Sequence, residues 1–177
     1  MKIYKTKFKG LFVIKQKNNT DRRGKLRETF NKKILKKKFV FEYCTTSKKN
    51  VLRGFHFQTK FQQSKYVNVI KGKILDVVVD LRKKSKTFGK TYKIILSEEN
   101  ALALYIPAGF GHAYYSYHKE NIIYYKLDNF YMPKFEKGII FNDNYLKIKW
   151  PKKRMIVSQK DKKLISFRTF CKDFGGL

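Results

Sequence analysis

The side chain best suited to move a proton in this chain is His56. It lies in the stretch Val51–Gln58, VLRGFHFQ, among aliphatic and aromatic residues. Histidine has the unperturbed pKa closest to neutrality, so it is the usual residue for removing and returning protons. Taken alone, His56 is better explained as a hydrogen-bonded core histidine, and only the other motifs of the chain favour a chemical role.

The run around His56 has the composition of a β-strand, in which successive side chains point to opposite faces. This alternation predicts one face with Arg53, Phe55 and Phe57 and another with Leu52, Gly54, His56 and Gln58. Because residue 54 is a glycine, the face that carries His56 is expected to stay open.

A second histidine motif, PAGFGH over residues 107–112, ends in His112. It resembles the second conserved segment of the cupin superfamily of jelly rolls. The first cupin segment normally supplies two histidines and a glutamate as metal ligands, whereas residues 54–58, GFHFQ, supply one histidine and a glutamine. This set falls short of a catalytic metal site. We therefore expect no metal, and a histidine that acts as a base.

Short strands are expected to position these residues. Runs rich in β-branched and aromatic residues predict strands over residues 40–44, 52–58, 66–71, 74–82, 90–96, 103–106, 111–117 and 122–130. Many short strands with little helix between them are typical of an antiparallel sandwich or barrel. The predicted fold class is therefore all-β, with a few short peripheral helices.

The two ends of the chain are predicted to flank this core. In an N-terminal arm, 1–39, we expect a strand pair over residues 3–14, a polar turn over 17–21, an extended run over 23–30 and a helix over 30–40. The jelly-roll core takes residues of about 40–150. A polar tail, 151–177, is expected to contain a short helix over 158–167. The length of the whole chain, 1–177, predicts a single domain.

Composition limits the partners that we expect. The sequence has 42 Lys and Arg residues against 13 Asp and Glu, a net charge of +29, which suits an anionic ligand. Because the lysines are spread along the whole chain, nucleic-acid binding is the weaker hypothesis, and a basic pocket for a nucleotide-linked substrate explains the charge at least as well. Cys44 and Cys171 have no metal-type spacing, and no segment resembles a signal peptide or a membrane span. We expect a cytoplasmic protein without a membrane partner.

The order of the motifs resembles one enzyme family. VLRGFHFQ, SKYVNVIKGKILDVVVDLRKKSKTFGK, LSEEN, YIPAGFGHAYY, YYKLDNFYMP, FND and IKWP follow one another as in the dTDP-4-dehydrorhamnose 3,5-epimerase family, from about residue 21 to residue 161. The resemblance implies a cupin-type jelly roll and a homodimer that exchanges strands, with no metal or other cofactor. It also implies epimerisation beside the ketone of a nucleotide-linked 4-keto-6-deoxy sugar, with dTDP as the expected nucleotide.

The resemblance assigns catalytic roles to four residues. They are His56 as the base, Asp161 as its orienting carboxylate, Lys65 as the cation that stabilises the enolate, and Tyr125 as the acid on the opposite face. A neutral histidine removes a proton beside a ketone only if the enolate oxygen is stabilised at the same time. Taken singly, Lys65 is an ordinary surface lysine and Asp161 an ordinary carboxylate at a helix start. Strand alternation sends Tyr124 and Tyr125 to opposite faces, so only one of them can enter the site.

The resemblance also implies contacts with the anionic part of the substrate. Arg53 and His112 resemble residues that lie near the diphosphate and the sugar, and a guanidinium suits a bidentate phosphate contact. Arg23 and Glu28 resemble an arm that reaches the nucleotide, in the partner subunit.

An aromatic residue of the family stacks on the nucleotide base. Phe130 and Tyr131 fall at this place, with Tyr131 as the preferred residue and Glu136 nearby, and Gln58 completes the predicted substrate-binding set. Core packing explains both aromatic residues equally well.

Two departures from the family pattern leave the identity of the substrate undetermined. Where members usually carry Gln-x-Asn, this chain has Phe41-Glu42-Tyr43, and Lys25 replaces the aromatic residue that usually follows Arg-Gly in the arm. These positions lie near the ligand in the family. The sequence therefore does not determine which sugar and nucleotide are bound, or whether one or two carbons are inverted. A single-centre epimerase is the alternative within the enzyme class. A non-catalytic basic jelly roll that binds polyanions is the alternative outside it.

Overall fold

The computed structural model describes residues 1–152 and 154–177 and consists mainly of short antiparallel strands. In chain order the strands are β1 (Lys2–Lys5), β2 (Phe12–Lys15), β3 (Lys17–Asp21), β4 (Gly24–Glu28), β5 (Phe41–Lys48), β6 (Val51–Gln58), β7 (Lys65–Lys71), β8 (Lys73–Asp80), β9 (Thr91–Ser97), β10 (Leu102–Ile106), β11 (Phe110–Ser116), β12 (Glu120–Leu127), β13 (Glu136–Gly138) and β14 (Ile156–Val157). The helices are α1 (Lys32–Leu35), α2 (Gln159–Lys162) and α3 (Phe167–Phe174), with a 3₁₀ turn over Pro133–Phe135. None of these helices has the length and hydropathy needed to cross a membrane, over the residues described.

Two sheets face each other and enclose the main core. The first has the strand order β1-β2-β10-β7-β12-β5, and the second the order β13-β6-β11-β8-β9, with β14 added beside β6. Apolar side chains of both sheets are buried together between them, for example Val67 and Ile123 of the first with Val78 and Phe110 of the second. The predicted all-β jelly roll is confirmed. Every strand predicted between residues 40 and 130 is present, and β5 continues to Lys48.

A β-bulge in β6 decides which side chains point between the sheets. His56 pairs with His112 of β11, but Arg53 pairs with Tyr114, so two residues of β6, Gly54 and Phe55, lie opposite one residue of β11. The extra residue reverses the alternation. The prediction that Arg53 shares a face with Phe55 is therefore wrong, because Arg53 lies on the inner side with His56, where its Nε donates to Ser47 Oγ at 3.2 Å.

The N-terminal arm differs from its prediction at two places. Residues 17–21, expected as a turn, form β3, which pairs with β4 in a hairpin of its own. The helix expected over residues 30–40 is limited to α1, because Lys36 adopts a left-handed backbone at φ 45° and ends it. The apolar residues of this segment are nevertheless buried, since Leu35 packs beside Tyr66 with Phe30 and Phe39 around them.

The C-terminal residues cover the outer face of the second sheet. The single helix expected over residues 158–167 is replaced by α2 and by α3, whose first turns are capped by Ser158 and Ser166. Phe167 and Phe170 of α3 are buried against the outer face of β6, where the Phe57 and Phe170 ring centroids are 5.3 Å apart. The tail is thus an anchored layer that places α2 beside β6.

The bulge predicts a large penalty for Gly54→Ala. Gly54 has a φ of +106°, and an added Cβ would lie 2.4 Å from the His112 carbonyl oxygen. Gly24 also has a positive φ, +132°, but an added Cβ would meet nothing within 4 Å. We expect Gly24→Ala to lose about 1–3 kcal/mol of unfolding free energy from backbone strain. Gly54→Ala should lose roughly 2–3 kcal/mol more, from overpacking. Equal losses in denaturant unfolding would contradict the close approach of β6 and β11.

Candidate active site

A cavity of about 280 Å³ lies between the two sheets. Strands β5, β7 and β12 of the first sheet and β6 and β13 of the second contribute its lining, with the loops beside them. The lining residues are Phe41, Tyr43, His56, Phe57, Gln58, Gln63, Lys65, Leu127, Tyr131 and Glu136. The fold therefore brings several of the predicted site residues to one place, together with the two aromatic residues that depart from the family pattern.

The His56 ring is held from behind by Asp161. Its Nε2 lies 2.8 Å from Asp161 Oδ1, and the other carboxylate oxygen accepts the Gly54 amide at 3.1 Å. Burial by itself raises the pKa of Asp161, but the hydrogen bond and charge of His56, with the bond from Gly54, hold this pKa below its usual value. Because an ionised carboxylate only accepts hydrogen bonds, Nε2 carries the hydrogen and Nδ1 is left to take up a proton.

Lys65 is the first residue of β7 and lines the same cavity. Its side chain is half-buried, and burial lowers its pKa to about 8, although the negative charges of Glu136 and Asp76 act in the opposite direction. An ammonium in such a setting is poorly hydrated. It therefore gains more than a surface lysine does when an anion forms beside it.

Tyr125 of β12 points between the sheets and is buried. Burial raises its pKa well above the usual value, and the nearby Tyr114 and Tyr43 act in the same direction. Its phenol therefore keeps its proton at neutral pH and can act as an acid. Tyr124 lies on the opposite face of β12, as alternation predicts, and its hydroxyl bonds to Glu42.

His112 forms a second histidine–carboxylate pair. Its Nε2 lies 2.8 Å from Asp76 Oδ2, and both side chains are buried. The His112 ring meets the Tyr125 ring edge-on at 6.1 Å. Asp76 was not among the residues predicted from the sequence, although an acidic residue in the apolar run LDVVVD of β8 is a signal for a buried, paired carboxylate.

The predicted base-stacking residues lie at the edge of the cavity. Phe130 is 59% exposed and Tyr131 46% exposed. The Tyr131 hydroxyl donates to Glu136 at 2.8 Å, and Lys160, which the sequence analysis also missed, bonds to the same carboxylate. Gln58 is buried and holds the neighbouring loops, because it donates to the Phe61 carbonyl and accepts from the Met132 amide, both at 2.7 Å.

Both predicted arm residues lie on the β3–β4 hairpin. Arg23 forms an ion pair with Asp21 at the hairpin tip. Glu28 accepts a hydrogen bond from the Asn31 side chain. Neither residue is among those that line the cavity of the same chain, within residues 1–152 and 154–177.

Leaving residue 153 aside, the structure contains no group of three or more His, Cys, Asp and Glu side chains arranged to hold a metal ion. The carboxylates of Asp161 and Asp76 are instead hydrogen-bonded to the imidazole rings of His56 and His112.

Comparisons of the sequence point to one family. A family model described as dTDP-4-dehydrorhamnose 3,5-epimerase matches residues 5–169. The dTDP-4-dehydrorhamnose 3,5-epimerase of Methanothermobacter thermautotrophicus is 40% identical over 166 residues, which cover 89% of this chain and 90% of the relative.

Solved structures agree with the sequence comparison. The dTDP-4-dehydrorhamnose 3,5-epimerase of Elizabethkingia anophelis has a TM-score of 0.89 and 38% identity, covering 96% of this chain and 97% of that one. The dTDP-6-deoxy-D-glucose-3,5-epimerase of Legionella pneumophila, in complex with dTDP-4-keto-L-rhamnose, has a TM-score of 0.89 and 35% identity, covering 93% and 92%. The fold is thus a cupin-type jelly roll, with a cavity between its sheets that is lined by His56, Lys65 and Glu136 among others. The chain belongs to the dTDP-4-dehydrorhamnose 3,5-epimerase family.

The burial of Lys65 predicts an unusual titration. Lys65 should titrate near pH 8, whereas Lys71, which bonds to Glu120 at the surface, should stay charged beyond pH 10.5. Because the unfolded chain keeps the Lys65 proton to higher pH, this residue opposes folding below about pH 8, and the cost disappears as the pH rises towards 10.5.

NMR of isotope-labelled lysine side chains measures both titrations. The resonances that vanish in Lys65→Met and Lys71→Met identify the two residues. A Lys65 resonance that titrates together with that of Lys71 would show that its ammonium is hydrated, against the structure.

Proposed function

We propose that this protein epimerises a dTDP-linked 4-keto-6-deoxy sugar at C3 and C5, on either side of the C4 ketone. The observation that carries the proposal is a base and an acid on facing sheets, His56 on β6 of the second and Tyr125 on β12 of the first. Inversion of a carbon requires proton removal from one face and return to the other. The family relatives described above are named for this reaction, which supports the same substrate class here.

Proton removal is the task of His56, Asp161 and Lys65. His56 Nδ1 takes the proton from the carbon beside the ketone, and the electron pair of the C–H bond forms the C=C bond of an enolate. The Lys65 ammonium stabilises the enolate oxygen, and the Asp161 carboxylate stabilises the imidazolium. No step of this half-reaction requires an oxidant or a reductant.

Proton return is the task of Tyr125. Its hydroxyl protonates the enolate carbon from the opposite face, and the ketone forms again. Solvent then restores the tyrosine proton and removes the proton from His56. The same cycle on the other side of the ketone inverts the second carbon.

The remaining substrate contacts are proposed from their positions. Tyr131, held by Glu136 at the edge of the cavity, is placed to stack on the nucleotide base. Arg53, on the inner side of β6, suits the diphosphate. His112 is buried against Tyr125, so we expect it to act on the sugar side of the site rather than at the phosphates. Phe41 and Tyr43 in the lining keep the single-centre epimerase as the second candidate.

We place the reaction in the cytoplasm. Cys44 and Cys171 are both free thiols. Secreted proteins more often pair their cysteines, because disulfides persist in oxidising compartments. A reducing compartment is therefore the simpler assignment.

We also propose a homodimer. The β3–β4 hairpin forms a two-stranded sheet of its own, and Leu26 on it is 65% exposed. Isolated hairpins are marginally stable. A second copy of the chain would cover Leu26 and could receive Arg23 and Glu28 at its nucleotide.

Sedimentation equilibrium tests this dimer. The unchanged protein should have twice the mass of one chain at micromolar concentration, and Leu26→Glu should shift it towards the monomer. Ile156→Glu, an equally apolar exposed residue on the C-terminal segment, is the matched control and should stay dimeric. A monomer throughout would contradict the proposal.

Proton NMR in D₂O tests the activity. Incubation with dTDP-4-keto-6-deoxyglucose should remove both the C3 and the C5 proton signals, while loss of one signal alone would support the single-centre candidate. His56→Asn should lower turnover by about 10²- to 10⁴-fold without unfolding the protein. His118→Asn removes an exposed histidine and should retain full turnover. No exchange with this or any other nucleotide-linked 4-keto sugar would refute the proposed function.

A further inference from the structure

We propose that Tyr43 is a positioning residue for proton return, whose ring stacks on Tyr125 and fixes the direction of the Tyr125 hydroxyl. The two tyrosines are paired residues of the neighbouring strands β5 and β12. Their ring centroids are 4.8 Å apart and their planes are inclined by 20°. This inference rests on the proposed function, because it assigns the Tyr125 hydroxyl the role of acid.

Ring contacts hold Tyr125 on two sides. On one side the His112 ring packs edge-on at 6.1 Å, and His112 is itself fixed by its 2.8 Å bond to Asp76. On the other side lies Tyr43. The neighbouring Tyr114 is held differently, since its hydroxyl bonds to Ser47 at 2.9 Å. The orientation of Tyr125 therefore depends on packing, and removal of one packing ring frees its side-chain torsions.

Tyr43 is well placed to act on Tyr125 from within the cavity. It lies on β5, one of the two edge strands of the first sheet, and lines the cavity together with His56. Phe41, two residues away, packs on Tyr43 with the two ring centroids 5.6 Å apart. Burial raises the pKa of Tyr43 to about 12, so at neutral pH both stacked rings are uncharged. Offset stacking of neutral rings is favourable by about 0.5–1.5 kcal/mol beyond area burial.

The two half-reactions should respond differently to loss of this stack. Proton removal by His56 does not involve Tyr125, whereas proton return requires its hydroxyl next to the enolate carbon. A misplacement of about 1 Å in such a group costs on the order of 10²-fold in rate. When proton return from Tyr125 is slow, the imidazolium of His56 returns a solvent-derived deuteron to the original face. Deuterium then enters the sugar without inversion.

The test compares two variants in D₂O with the dTDP-linked 4-keto-6-deoxy sugar. Tyr43→Leu removes the flat ring but keeps apolar bulk, and Tyr43→Phe keeps the ring but removes the hydroxyl. NMR measures deuterium incorporation and epimerised product over a range of substrate concentrations. In Tyr43→Leu, kcat for epimerisation should fall by about 10- to 100-fold, with much smaller changes in deuterium incorporation and in KM. In Tyr43→Phe, epimerisation and deuterium incorporation should both proceed at rates close to those of the unchanged protein.

Other outcomes would overturn the inference. In Tyr43→Leu, an equal loss of exchange and epimerisation would overturn it, and so would no loss of either. A Tyr43→Phe variant that is as impaired as Tyr43→Leu would also overturn it, because the role would then belong to the hydroxyl. If Tyr43→Leu does not fold by circular dichroism, Tyr43→Thr provides the same comparison, because threonine lacks the flat ring and is favoured in strands. Absence of exchange in the unchanged protein would refute the proposed function itself, and this inference with it.

Discussion

The Asp161 carboxylate accepts hydrogen bonds from two donors of β6, the Gly54 amide and the His56 ring. A buried carboxylate is costly unless donors of this kind satisfy it, so the C-terminal segment has to dock where β6 offers both. The bulge makes the first donor available, because a bulged residue leaves the regular ladder. One ionised group thus joins the end of the chain, the irregularity in β6 and the candidate base.

Burial and charge together set the protonation states around the cavity. Burial lowers the pKa of Lys65 to about 8 and raises that of Tyr125, so at neutral pH Lys65 is mainly a cation and Tyr125 a protonated phenol. Burial also raises the pKa of Glu136, but its bonds from Lys160 and Tyr131 outweigh this and keep it ionised. Hydrogen bonds hold the carboxylates of Asp161 and Glu136, and the negative charge of Glu136 acts on Lys65, so the charges around the cavity partly offset one another near neutral pH.

The aromatic residues of β5 distinguish this cavity from the usual pattern of the family. Phe41 and Tyr43 replace the amide side chains of the Gln-x-Asn pattern, so this wall can pack on a ligand but offers fewer hydrogen bonds. The ring centroids of Phe41 and Phe130 are 6.5 Å apart. This contact extends the aromatic surface to the loop beside the proposed nucleotide site. His56, Lys65 and Tyr125, the residues proposed as base, cation and acid, follow the family pattern despite these replacements. Tyr43 lines the cavity and also stacks on Tyr125, so in our proposal this replacement affects both the contacts with the ligand and the proton return.

The sequence by itself determined the strands of the jelly roll and the candidate catalytic set, the first from local period-two patterns and the second from motifs that resemble one family. Tertiary structure decided the rest. The side of β6 on which Arg53 lies depends on a bulge, which exists only relative to β11. The extent of α1 and the burial of α3 depend on how the apolar side chains of each segment pack against the neighbouring sheet. The hydrogen bond between His112 and Asp76 joins residues 36 positions apart. It forms because β11 pairs with β8, which local propensity does not determine.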